Sequence, residues 1–109
     1  MPREQRAVAR YTAPAPLRPS RPTALAVRRA AGSTPAITIT WRAGARTARS
    51  AITVVTTDGR RLLFTARAGR LTVPGLSPRL VREVRVVGLR ADGATGPAAV
   101  TRAVVGGTR

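Results

Sequence analysis

Apolar side chains fall at every second position along most of this chain, beginning with Leu25 and Val27, which alternate with Ala24 and Ala26. Ile37, Ile39 and Trp41 repeat the pattern, with Thr38 and Thr40 between them. Period two puts neighbouring side chains on opposite faces of an extended backbone, so both stretches predict strands. Arg42 to Ser50 reads as a loop, after which Ile52-Thr53-Val54-Val55-Thr56 resumes the alternation. Asp58-Gly59 then predicts a two-residue hairpin of type I′, a turn that needs positive φ. The return strand is Arg61–Ala66, with Leu62 and Phe64 on one face and Leu63 on the other. Leu71-Thr72-Val73 is short and closed by Pro74-Gly75. Val84–Leu89 is longer, Asp92-Gly93 marks a second turn, and Ala99–Val105 is the last strand. Seven strands at close spacing, with no helical period, predict an all-β, seven-stranded antiparallel β-sandwich of Greek-key type.

Residues 1–21 lack this alternation. Ala13 to Pro22 carries four prolines and no hydrophobic period, which favours extended polyproline geometry. The expected organisation is a flexible Pro/Arg-rich tail or linker over 1–21, a sandwich over 22–105 and a C-terminal tail over 106–109.

Composition narrows the chemistry. The 109 residues suffice for one domain, and with Tyr11, Trp41 and Phe64 as the only aromatics its core must be aliphatic. Twenty basic residues, all Arg, face four acidic ones, for a net charge of +16. That excess fits a polyanion partner, whose binding releases counterions. It equally fits the Arg-, Ala- and Gly-rich composition that a GC-rich genome writes. The absence of Cys excludes disulfides and zinc ribbons and leaves the redox compartment open. No apolar run approaches the ~20 residues of a membrane span, and none follows Met1 as a signal peptide would require. The expectation is a protein retained where it is made, or one module of a longer exported chain.

Five pieces of the sequence, in order, resemble the fibronectin type III domain across residues 22–105. Pro22-x-x-Leu25-x-Val27 resembles its first strand, and Ile37-x-Ile39-x-Trp41 its second, with the buried Trp that marks the family's core. Leu76-x-Pro78 resembles the turn into the sixth strand, and Val84-x-Val86-x-Gly88 that strand itself. Gly93-x-Thr95-x-Pro97 resembles the opening of the last strand. Two positions depart from the family: Arg82 stands where it has a corner Tyr, and Ile52 where it has a third-strand Tyr. The resemblance implies a non-catalytic interaction, adhesion or spacer module of a bacterial extracellular or phage structural protein.

Elimination points away from catalysis. Without His or Cys the common general base and thiolate nucleophile are missing. Asp58 and Asp92 precede Gly in turns, Glu4 lies in the tail, and Glu83 sits among Arg79, Arg82 and Arg85. No metal-ligand or phosphate-loop spacing occurs, so neither metal nor cofactor is expected. Two surfaces remain as binding candidates. Under the family's topology Arg46, Arg49, Arg67, Arg70 and Arg90 gather on one rim, where guanidiniums suit sulfate, phosphate or carboxylate. Arg28, Arg29, Arg60, Arg61 and Arg79 crowd the other end. Alternation also turns Val55, Val87 and Leu89 outward as an apolar strip suited to a protein contact. The partner is then another protein or protein domain, or a glycan or nucleic acid held through Arg.

Overall fold

The computed structural model describes residues 17–102. Seven strands follow in chain order: β1 (Thr23–Arg29), β2 (Ala36–Arg42), β3 (Arg49–Thr56), β4 (Arg61–Ala66), β5 (Arg70–Pro74), β6 (Val81–Leu89) and β7 (Thr95–Thr101). They form two antiparallel sheets, one ordered β1-β2-β5 and the other β4-β3-β6-β7. The chain changes sheet between β2 and β3, between β4 and β5, and between β5 and β6. β6 thereby returns beside β3, a Greek-key return that no simple meander makes.

Register follows the hydrophobic alternation. Val27 lies opposite Ile39, and Ile39 opposite Leu71, on the inner face of the three-stranded sheet. Across the core, Ile52 lies between Phe64 and Val86, and Val54 between Leu62 and Val84. A slip of one residue would turn each of these sets to solvent, which fixes the pairing. The buried cluster is Val27, Ile37, Ile39, Trp41, Ile52, Val54, Val73, Leu76, Val81, Val84 and Val86, with Leu62, Phe64 and Leu71 half-buried at its margin.

Trp41 spans the two sheets. It sits on β2, is 6% exposed, and its Nε1–H donates to Ser50 Oγ on β3 at 3.0 Å. Ser50 is equally enclosed, so each supplies the partner that the other's burial requires.

The Asp58-Gly59 turn is not the expected type I′, and the turn at Asp92-Gly93 shares its geometry. Only the glycines take positive φ, 90° at Gly59 and 92° at Gly93, while Asp58 and Asp92 do not. The Gly59 N–H bonds to the Thr56 carbonyl and the Thr56 N–H to the Arg60 carbonyl; Gly93, Arg90 and Ala94 repeat the arrangement. These are three-residue loops, each a turn followed by a left-handed Gly, so the extra residue before Asp decides the type. The last strand also differs: it begins at Thr95, four residues before the expected Ala99. Pro97 lies inside it because β7 is an edge strand, where a missing N–H can face outward. Of the expected strand end, Ala103 to Val105 lie outside the described residues, as do 1–16 of the expected tail and all of 106–109. A short 3-10 turn at Pro78–Leu80 precedes β6 and is closed by backbone bonds alone, since Arg82 is exposed.

Replacing Trp41 by Ala should cost about 3–5 kcal/mol in urea denaturation, through lost burial and the cavity left. Replacing it by Phe should cost about 1–3 kcal/mol, because the Ser50 hydroxyl is then buried without a partner. A change within error for both would show that the indole does not tie the sheets.

Candidate functional site

Three loops meet at one end of the sandwich. Ser50 lies opposite Ala66 on one side and Gly88 on the other, the Ala48 N–H bonds to the Leu89 carbonyl, and the Trp41 N–H bonds to the Gly69 carbonyl. The β2–β3, β4–β5 and β6–β7 connections therefore share this end. So does the start of β1, because Thr23 lies opposite Arg42. All five rim arginines belong here by topology, but they do not form one patch.

Two of them hold the chain itself. Arg90 Nη1 donates to the Leu17 carbonyl at 2.9 Å, while its Nε and Nη2 grip the Asp92 carboxylate. Arg46 Nε donates to the Arg18 carbonyl at 3.1 Å and its Nη2 reaches Ser20 Oγ at 3.4 Å. The Ser20 N–H also bonds to the Ala45 carbonyl at 3.1 Å. Pro19 and Pro22 are fully buried. The described part of the expected tail, residues 17–21, is thus clasped along the loop end.

Glycines on β6 and β7 make the fit possible. A Cβ on Gly96 would overlap the Pro19 carbonyl oxygen, and one on Gly88 would stand 2.9 Å from Pro19 Cβ and 2.6 Å from Thr47 Oγ1. Gly inside a strand signals close backbone approach, so Gly88 and Gly96 were the legible sign of this groove. Arg46 contributes at a local cost. Its φ of 61° is left-handed, which costs a residue with a Cβ about 1 kcal/mol or more.

The other three arginines diverge. Ser50 points into the core, so Arg49 before it projects onto the outer face of the four-stranded sheet. Arg70 lies opposite Thr40 on the outer face of the three-stranded sheet. Arg67 sits in the β4–β5 loop; all three are exposed. Sheets stack about 10 Å apart, so Arg49 and Arg70 look out on opposite sides of the molecule.

The apolar strip also divides. Val55, Val87 and Leu89 are each half-buried on the outer face of the four-stranded sheet. Val87 and Leu89 are neighbours on β6, and Val87 is flanked by Ala51 and Ala98. Val55 lies opposite Glu83, four residues and about 13 Å along β6 from Val87, with Arg85 between them. Its apolar neighbour is instead Leu63, diagonal to it on β4 and 75% exposed.

The three carboxylates of the described residues stand apart, each with its own arginine. Asp58 faces Arg60 at 3.1 Å, Asp92 faces Arg90, and Glu83 bridges Arg85 at 3.2 Å and Arg102 at 3.1 Å. The Arg90 side chain first, and the Ala94 N–H after it, hold the Asp92 carboxyl below its ordinary value. Thr56 does the same for Asp58 through its hydroxyl, helped by Arg60. A lowered carboxyl stabilises the fold above the unfolded-state value and loses that contribution as pH falls through the folded one.

Gly96→Ala should expel residues 17–21, lower stability by about 1–3 kcal/mol, and strip the Ser20 amide of exchange protection. Continued protection of Ser20 would show that the groove tolerates a methyl group and is not closed on Pro19. In the same way, Arg90→Met should raise the Asp92 titration midpoint, followed by carboxyl carbon NMR, toward the ordinary carboxylate value. An unmoved midpoint would mean that Arg90 does not grip Asp92 in solution.

No family model matches the chain and no curated protein is similar to it, so its function has to be read from these contacts.

Proposed function

We propose that the chain is a non-catalytic interaction and spacer module, a sandwich of the fibronectin type III kind. The observation that carries this reading is the path of the backbone. The chain enters β1 at the end where the β2–β3, β4–β5 and β6–β7 loops meet, and β7 runs from that end to the opposite one. Entry and exit at opposite ends let such units follow one another in line. The clasp adds direction: Arg46, Arg90 and the Ser20–Ala45 bond fix the angle at which the preceding chain arrives.

The family likeness is supported by sheets of three and four strands and by a tryptophan buried between them. The alternative reading, a polyanion-binding domain working through its arginines, draws on the net charge alone. Arg46 and Arg90 are occupied by backbone carbonyls, and Arg49 and Arg70 face opposite ways.

Residual dipolar couplings provide the test of the spacer reading. Those of the Arg18, Ser20 and Arg21 amides should fit the alignment tensor of β2 and β3. Couplings averaged toward zero would describe a hinge and end the reading. Salt dependence tests the alternative. At +16 the chain binds anionic polymers at low salt whatever its function, because counterions are released. Near physiological salt the Debye length is ~8 Å, and heparin and single-stranded DNA should bind weakly and alike. Substituting Arg49, Arg67 and Arg70 together should then weaken binding no more than substituting Arg28, Arg29 and Arg79. Selective retention mapped to the first three would make the chain a polyanion receptor.

A further inference from the structure

The sandwich has four sheet edges, and three of them are blunted. β1 carries Ala24 at a φ of 57° within an irregularity of its pairing between Thr23 and Ala26. β7 contains Pro97, breaks register against β6, and packs beside β1. β5 is five residues long and closes on Pro74. Edge strands are protected in such ways because their free N–H and C=O groups template pairing with other chains.

β4 has none of these devices. Arg61–Ala66 contains no Pro or Gly and pairs with β3 in unbroken register. The Thr56 N–H bonds to the Arg60 carbonyl, and antiparallel ladders alternate, so Leu62, Phe64 and Ala66 share the bonds with β3. The backbone groups of Arg61, Leu63 and Thr65 therefore face the open edge. Leu63, at the centre of the row, is 75% exposed between Arg61 and Thr65, and Leu62 and Phe64 on the inner face are only half-buried. On the β1–β7 side the two sheets close on each other, while the β4 and β5 edges make no comparable contact.

Charge selects the occupant. Arg60 and Arg61 stand at one end of this strand and Arg67 at the other, with Asp58, paired to Arg60, the one acidic residue beside them among those described. Antiparallel pairing with β4 of a second copy must join the edge-facing residues to one another, Leu63 to Leu63 and Arg61 to Thr65, which leaves Arg67 diagonal to Arg61 so that like charges meet at both ends. We propose that β4 accepts an extended segment of an acidic partner protein, apolar at its centre and carboxylate-bearing at both ends, as a fifth strand of the sheet. Main-chain bonds to Arg61, Leu63 and Thr65 would supply affinity, and the flanking guanidiniums would supply selection. This rests on the interaction-module reading and names its contact.

The test titrates the full chain, at physiological salt, with a short peptide of alternating Val and Thr flanked by Asp and Glu. Its counterpart replaces the acidic flanks with Lys. The acid-flanked peptide should slow amide exchange at Arg61, Leu63 and Thr65 by about tenfold when present at about ten times its Kd. Leu63→Pro, which removes an outward N–H and spares the bonds to β3, should abolish the gain with Trp41 fluorescence unchanged. Should that variant unfold, Arg61→Glu with Arg67→Glu still decides, because it should invert the preference toward the Lys-flanked peptide. Any one of three results overturns the proposal: no gain with either peptide, equal gain with both, or equal gain from heparin. So does protection that rises with concentration of the chain alone, which would mark self-pairing. None of these disturbs the Ser20 couplings on which the spacer reading stands, so the two failures are distinguishable.

Discussion

Trp41 joins three parts of the molecule that the chain visits at different times. Its indole reaches across the core to Ser50 on β3, and its backbone N–H bonds to Gly69 in the β4–β5 loop. The three-stranded sheet is thereby set against the four-stranded one at the end where the loops meet. An aliphatic core of Ile and Val is non-directional and could tolerate some sliding. One buried hydrogen bond between sheets is directional, and leaving either partner unmet costs more than the bond itself contributes. The position of Ser50 in turn places Ala66 and Gly88 opposite it, and Gly88 lines the groove that receives Pro19. The clasp depends on that tie.

Arginine does several kinds of work on this surface, and chemistry explains the division. A guanidinium offers five donors in a fixed fork. Arg90 can therefore bond the Leu17 carbonyl and both oxygens of Asp92 at once, which an ammonium could do only as a mobile point charge. Arg46 likewise uses two of its nitrogens at once, on the Arg18 carbonyl and the Ser20 hydroxyl. Residues without such partners, Arg49, Arg67 and Arg70 among them, point outward in different directions. A large net charge read from composition says little about aim. Here much of it is solvated, and part of it is structural.

Alternation made the strands and their faces legible, because burial on one face enforces period two. Leu62 and Phe64 inward, Leu63 outward, and Ile37, Ile39 and Trp41 inward all follow from it. What alternation cannot reach is backbone geometry between strands. Asp-Gly suited a two-residue turn, yet the pairing of Val55 with Arg61 leaves room for more, and only Gly takes positive φ. Pro97 disguised the start of β7, since proline is excluded from central strands but not from edges. Register between β3 and β6 decided that Val55 meets Glu83 and not Val87, which no single strand records. Pro19 carried the opposite signal to its role: in a proline-rich stretch it reads as linker, and its burial comes from glycines far along the chain.

The same charge that looks wasteful on the faces has a use at the edge. A six-residue strand with an exposed leucine and an unbroken hydrogen-bonding row is a hazard to the protein that carries it, because a second copy presents the same row. Proline or a bulge removes the hazard by removing the edge. Arginine at both ends removes it selectively: identical strands repel in the antiparallel arrangement, while the row itself stays intact. β1, β5 and β7 take the first course and β4 takes the second. Keeping an edge open while guarding it against self-pairing has a physical point only where something of opposite charge is to be paired with. The asymmetry among the four edges, more than the apolar area exposed, is what argues for β4 as the proposed contact surface.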